Sequence, residues 1–201
     1  MTPRIVEPPD PRLVDHCVLL RGVSWREYLA LDAARGETTA PRLTYLHGEL
    51  EIMSPSWLHE SAAYMIGRLV DAFAEEMGIE LVGVGSWTIR RTRRRAGLEP
   101  DRCYVLGTRR PDVPDLAIEV VWTRRLLDKL EVYRGLVVPE VWVWEGGRLR
   151  VNVLRGGKYA RARRSKLLPS LDLRLLESFV ARADQTQAVR EYRAALRRRP
   201  R

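Results

Sequence analysis

VPDLAIEVVWT, Val113 to Thr123, carries two acids through what otherwise reads as a buried strand. Val, Leu, Ala and Ile flank Asp115 and Glu119, and a carboxylate in such company is costly unless something pairs with it. A second Pro-Asp step, Pro100-Asp101, lies upstream, and RCYVL (102–106) offers a partner strand across the turn GTRRPDVP (107–114). A hairpin centred on Arg110 sets Asp101 opposite Glu119, and Asp115 opposite Val105. Directly opposed Cβ atoms lie about 4.5–5.5 Å apart, so two carboxylates there repel unless a cation or a shared proton lies between them. A Mg²⁺ ion bound by carboxylates, water and a substrate phosphate suits that pair.

Downstream, a helix is expected from Arg125 to Leu136, with Leu126, Leu130 and Tyr133 on one face. Lys129 sits next to that face in a chain with 32 Arg and only 3 Lys. A compact ammonium can hold an attacking water or offset charge on a phosphorane, and its pKa shifts on burial as that of Arg does not. The alternative is a solvated lysine in an i,i+4 contact.

Other elements follow from local pattern. SWREYLALDAA opens with a capping box, Ser24 and Glu27, and predicts a helix from Trp25 to about Ala34. RLTYLHGELEIM reads as a hairpin around His47-Gly48, with Glu49 and Glu51 after the turn. SPSWLHESAAYMIGRLVDAFAEEMG is the strongest helix, apolar at Ala62, Ile66, Leu69, Phe73 and Met77 and stopped by Gly78. Strands are expected at 80–84, 86–91, 102–106 and 116–122, then a hairpin turning at Gly146-Gly147 and a C-terminal helix over about 178–198. Residues 1–23 read as an N-terminal arm, 24–180 as the folded domain and 181–201 as a C-terminal helix with a basic tail. The order indicates an α/β or α+β domain around one mixed sheet.

The 201 residues suffice to bury a core. No run approaches the roughly 20 apolar residues of a membrane span, no signal-peptide pattern opens the chain, and a cytoplasmic protein is expected. Cys17 and Cys103 form neither a disulfide framework nor a metal spacing, and His16, His47 and His59 lack zinc-site spacing. No Walker loop, Gly-x-Ser-x-Gly or complete dinucleotide fingerprint is present. The formal charge of +9 and pI near 10.1 point to an anionic partner, nucleic acid first. Arg90, Arg91, Arg93, Arg94 and Arg95 are the candidate backbone contacts, against the plainer reading of a solvated loop.

Pro100-Asp101, IEVV (118–121) and LDKLEVYRGLVVPEVWVWE (127–145), with YLHGELEIMSP (45–55) and His59 before them, resemble the PD-(D/E)XK nuclease superfamily. Within it the chain is similar to the bacterial Uma family of restriction-endonuclease-like proteins over roughly residues 24–180. The resemblance implies a mixed central sheet flanked by helices and a metal-dependent endonuclease acting on DNA. Asp101 and Glu119 would be its Mg²⁺ (or Mn²⁺) ligands, Glu49 a nearby acid and Lys129 the lysine. One departure is visible: the superfamily motif has Lys two residues after the acid, where this chain has Val121, and the role passes to Lys129 on the following helix. His59 is either a supporting partner of the site or a helix N-terminal core residue. Glu51 shares the face of Glu49, and Asp115 shares that of Glu119 as a supporting strand-opening residue. A homodimer is expected, because one cut per strand needs two sites. The rival readings are a catalytically silent nucleic-acid-binding or mobile-element accessory protein, and an interaction module using Trp122, Trp142 and Trp144.

Overall fold

A computed structural model of the protein describes residues 10, 13–36, 38–85, 87–123 and 126–198. Val113–Thr123 forms the strand expected of it. β7 (Arg102–Leu106) runs antiparallel to β8 (Leu116–Val121), with Arg102 opposite Ile118, Cys103 opposite Ala117 and Tyr104 opposite Leu116. That is the register of a hairpin centred on Arg110. β8 also pairs in parallel with β9 (Glu140–Glu145), and α3 (Lys129–Leu136) is the crossover between them. Both faces of β8 are covered, so it reads as a nearly continuous apolar run. Ile118 and Val120 pack with Trp142 and Trp144 against α2 (Trp57–Met77), while Ala117 packs with Val141 and Val143 against Val132, Tyr133 and Leu136 of α3. Trp142 and Trp144 are therefore core residues, and no interaction face is built from them. The mixed sheet is completed by β4 (Leu81–Val84) beside β7, and by β10 (Arg148–Arg155) and β11 (Lys158–Ala162) beyond β9.

A second, wholly antiparallel sheet was not foreseen. It orders β1 (His16–Arg21), β3 (Glu49–Ser54), β2 (Arg42–Leu46), β6 (Ala96–Leu98) and β5 (Ile89–Arg91). His16–Arg21, within the expected arm, is thus an edge strand against β3. One face of this sheet holds Leu43, Tyr45 and Leu50 against Tyr28 of α1 (Trp25–Arg35). The other face meets α3. Ser24 and Glu27 form the expected capping box of α1, with Ser24 N–H donating to Glu27 at 2.7 Å.

Two helix starts differ from expectation, each through a cap. α3 starts at Lys129 because Asp128 accepts the Leu130 N–H at 2.9 Å; Arg125, the expected start, lies outside the described residues. The expected C-terminal helix is two helices, α4 (Leu173–Val180) and α5 (Gln185–Arg197). Asp184 accepts the Gln187 N–H at 2.9 Å and starts a new helix after the break. α5 then buries Ala188, Tyr192 and Leu196 in the same core as α2.

Gly97 of β6 lets α1 pack closely on the antiparallel sheet. A Cβ there would overlap the Tyr28 hydroxyl and lie 2.9 Å from its Cζ. Tyr28 is fully buried and stacked on Tyr45 with ring centroids 4.9 Å apart, so it has no room to retreat. Gly97→Ala is expected to destabilise by about 1–3 kcal/mol, read as a lowered urea midpoint at unchanged slope.

Candidate active site

Asp101 lies just before β7, and Glu119 is in the middle of β8; neither side chain reaches solvent. Their repulsion is relieved by turning each carboxylate onto its own donors. Asp101 Oδ2 accepts the Val120 N–H at 2.6 Å, one residue past the last ladder pair. Asp101 Oδ1 faces His59 Nε2 at 3.1 Å and takes a hydrogen bond from Arg42 Nη1. Glu119 Oε2 accepts from Lys129 Nζ at 2.7 Å, and its Oε1 from the Tyr133 hydroxyl. Lys129 and Tyr133 are one helical turn apart on α3, so the same face delivers both donors.

A further ring of residues holds this pair. Arg42, at the start of β2, bridges Asp101 and Glu60, the latter at 2.5 Å. His59 Nδ1 lies 3.1 Å from Asp15 Oδ2, and Asp15 also accepts from Ser56 N–H at 2.8 Å and the Thr123 hydroxyl at 3.2 Å. Glu51 of β3 is buried and accepts the N–H groups of Leu126 and Leu127 at 3.1 and 3.2 Å, which fixes the segment entering α3. Five carboxylates (Asp15, Glu51, Glu60, Asp101, Glu119) thus face Arg42, His59 and Lys129, and the cluster is net negative.

The pKa shifts agree with this geometry. Burial alone would lower the His59 pKa, but Asp101 and Asp15 outweigh it and raise it to about 9. At neutral pH both ring nitrogens therefore donate, and Arg42 Nη1, 3.3 Å from His59 Nε2, is a second cation on the same carboxylate rather than a donor to the ring. Burial works against ionised Asp101, yet His59 and Arg42 hold its pKa well below the ordinary value. Burial likewise opposes ionised Asp15, and the hydrogen bonds from His59 and Ser56 bring it down to about 2. Tyr133 is pushed well up by burial and by the Glu119 charge, so its hydroxyl stays a donor.

The remaining expected residues lie apart from this cluster. Glu49 shares a face with Glu51 but sits at the hairpin end, where it is half-buried and pairs with Arg21 at 3.2 Å. Asp115 is at the opposite end of β8; it accepts the Leu106 N–H at 2.8 Å and pairs with Arg109, so it closes the hairpin turn. Arg90 is turned to α1 and pairs with Asp32 at 2.8 Å. Arg91 ends β5, Arg93 and Arg94 are exposed on a 3-10 turn, and Arg95 adopts a left-handed conformation after it. Arg42 and Asp15 were missed. Arg42 carries a sequence signal, a charged residue opening a strongly apolar strand; Asp15 carries none.

The family model Uma2, described as "Putative restriction endonuclease", matches residues 25–184. The chain belongs to the Uma2 family. No curated protein matches it. The mixed α+β architecture agrees with the restriction-endonuclease-like fold of the family. No helix among the described residues is long and apolar enough to cross a membrane.

Restriction-endonuclease-like nucleases generally use divalent metals, and the donor set of this Uma2 chain fits such an ion in kind. Asp101 and Glu119 offer hard carboxylate oxygens in a net-negative pocket. All four oxygens are engaged by Arg42, His59, Val120 N–H, Lys129 and Tyr133, so a cation there would compete with internal donors. Among the described residues, no three His, Cys, Asp or Glu side chains form a metal cluster. A cleft of about 420 Å³, lined by Arg42, Glu60, Glu99, Asp101 and Arg102 among others, reaches Asp101 at its backbone, with the carboxylate buried behind it.

Proposed function

We propose that this Uma2 chain hydrolyses phosphodiester bonds of DNA, with a Mg²⁺ or Mn²⁺ ion held by Asp101 and Glu119. One observation carries the reading: two buried carboxylates at adjoining strands, beside the one buried lysine among the described residues. When held by Asp101 and Glu119, such a cation would supply Lewis acidity, lowering the pKa of water and offsetting phosphoryl charge. The chain's own residues do the rest. Lys129, held against Glu119, directs its ammonium toward the attacking water and the developing phosphorane charge. Arg42 at the cleft wall offers a guanidinium to the scissile phosphate. His59 is a positioning residue: it donates to Asp101 through Nε2 while Asp15 fixes the ring through Nδ1.

A nucleic-acid partner is supported by the sheet face that carries Glu119. Across the strands Glu119 lines up with Val143 and Arg150, Val121 with Glu145 and Arg148, and Ala117 with Val141, Asn152 and Arg161. Paired residues share a face, so these arginines lie on the Glu119 side, Arg150 about 10 Å away at roughly 4.8 Å per strand. Arg148, Arg150, Arg161, Arg163 and Arg174 also line an open cleft of about 870 Å³ at the edge of this sheet beside α4, shared with Leu149, Leu173 and Glu177 on its other face. Arg150→Ala with Arg161→Ala is expected to weaken DNA binding equally for all sequences. The salt slope should fall by about one for each phosphate that the variant no longer neutralises.

The direct test is relaxation of supercoiled plasmid with Mn²⁺. Wild type should nick or cut, while Asp101→Asn and Glu119→Gln fall by about a hundredfold or more, the scale of losing a major electrostatic contribution. Equal trace activity in all three proteins sinks the proposal. Binding without turnover is the second reading, favoured by the full engagement of both carboxylates with internal donors. Calorimetry that finds no Mn²⁺ site, together with salt-dependent DNA binding, selects it.

A further inference from the structure

On α2, Tyr64 stands out as a ring that is 53% exposed between the buried residues Ala63 and Met65. Arg68, four residues on, places its guanidinium carbon 5.9 Å from the ring centroid, and Arg102 of β7 does so at 5.3 Å. The three side chains line a cleft of about 250 Å³ together with Gly67, Asp71, Gly83, Gly85 and Tyr104. Small residues keep it open. A Cβ at Gly67 would lie 3.3 Å from the Tyr104 hydroxyl and 3.5 Å from Arg102 Nε, and one at Gly83 would lie 3.3 Å from the Tyr104 ring. Among the described residues, none accepts a hydrogen bond from the buried Arg102 Nε.

Arg102 directly follows Asp101, and both Arg102 and Gly85 also line the cleft that reaches Asp101. The two clefts are therefore neighbours with a shared wall. We infer that this trough seats an unpaired nucleotide of the strand under attack, its base stacked on Tyr64 and on the Arg68 and Arg102 guanidinium planes. The inference rests on the hydrolytic reading for the position of the phosphate, and it adds a substrate class: single strands, flaps and bulges, in preference to continuous duplex.

Three features point to a base at this end. Exposed aromatic rings and arginine planes are the surfaces on which unpaired bases stack. The cleft is somewhat smaller than the roughly 300 Å³ lower bound of drug-sized pockets, a scale that suits one planar ring system. Asp71 repels a phosphate but accepts hydrogen bonds from an exocyclic amine. The phosphate then belongs toward Arg102 and Arg42, next to Asp101.

The test is equilibrium binding of the full chain to short fluorescent oligonucleotides in chelator, as single-stranded DNA, single-stranded RNA and the matching duplex. Single strands should bind at least about fivefold more tightly than duplex. Tyr64→Ala should lose about fivefold to a hundredfold of single-strand affinity, the range of one base-aromatic stack. Tyr64→Phe should keep it. A 2-aminopurine base in the strand should be quenched by wild type and by Tyr64→Phe, but not by Tyr64→Ala. The better of the DNA and RNA strands identifies the sugar. Unchanged single-strand binding in Tyr64→Ala, or duplex bound as tightly as single strand, overturns the inference. Plasmid cutting with Mn²⁺ is read separately. Intact cutting without Tyr64-dependent binding overturns the subsite alone, and Tyr64-dependent binding without cutting overturns hydrolysis alone.

Discussion

Lys129→Met is expected to lower stability by about 3–5 kcal/mol, the cost of leaving a buried carboxylate without its cation, and to abolish hydrolysis. Glu119 is fully buried, and its two oxygens are shared between Lys129 and Tyr133. Without the ammonium, only the Tyr133 hydroxyl remains, and one neutral donor does not offset a desolvated charge. Adding Glu119→Gln to Lys129→Met removes the orphaned charge, and the double variant should recover most of the loss. It should not recover activity, since the proposed metal ligand and the ammonium are both gone. Urea unfolding of the four proteins in the cycle measures the coupling, and plasmid cutting measures the chemistry. If Lys129→Met unfolds at the wild-type urea midpoint, the pair is not a buried ion pair.

Stability of the metal-free protein should fall by on the order of 3 kcal/mol between about pH 6.5 and pH 9 through His59. Its folded pKa, about 9, is raised above the ordinary 6.5 because Asp101 and Asp15 outweigh burial. A raised pKa means the folded state binds the proton more tightly. The contribution is therefore complete below 6.5 and lost as pH rises through 9. Asp15 has the opposite sign. Its pKa is lowered to about 2, so its contribution is present above the ordinary 3.8 and lost as pH falls through 2. A plateau from about pH 4 to 6.5 follows. The Cys17 and Cys103 thiols, pushed up to about 11 and about 12 by burial first, add to the alkaline loss only above about pH 9. Urea midpoints in chelator at about pH 6 and pH 9 check this. His59→Asn should flatten the difference, and a wild type equally stable at both values removes His59 from the charged cluster.

The hairpin register, the capping box of α1, the Gly78 stop of α2 and the strand-helix-strand order from 116 to 145 were legible because each is written in contiguous residues. Period, cap and turn act over a few positions, and Val113–Thr123 needed only its apolar run and the turn at Arg110 to place Asp101 near Glu119. Helix starts slipped where a cap outvoted periodicity, as Asp128 and Asp184 did.

Partner choice was decided elsewhere. Glu49 and Glu51 share one strand face, and strand parity cannot rank them. Glu51 is the buried one because the segment entering α3 folds over it, whereas Glu49 stays at the open end with Arg21. Arg42 and Asp15 reach the site from 59 residues before Asp101 and 44 before His59. Arg42 arrives there because the β2–β3 hairpin belongs to a separate antiparallel sheet whose other face packs onto α3, and Asp15 because β1, which follows it, is the edge strand of that sheet. By itself the sequence determined the central strands, α1, α2 and the two acids of Val113–Thr123 and Pro100-Asp101. Only the tertiary structure decided which charges neutralise them, because a buried carboxylate is matched by whatever donor the packing of distant elements brings within hydrogen-bond reach.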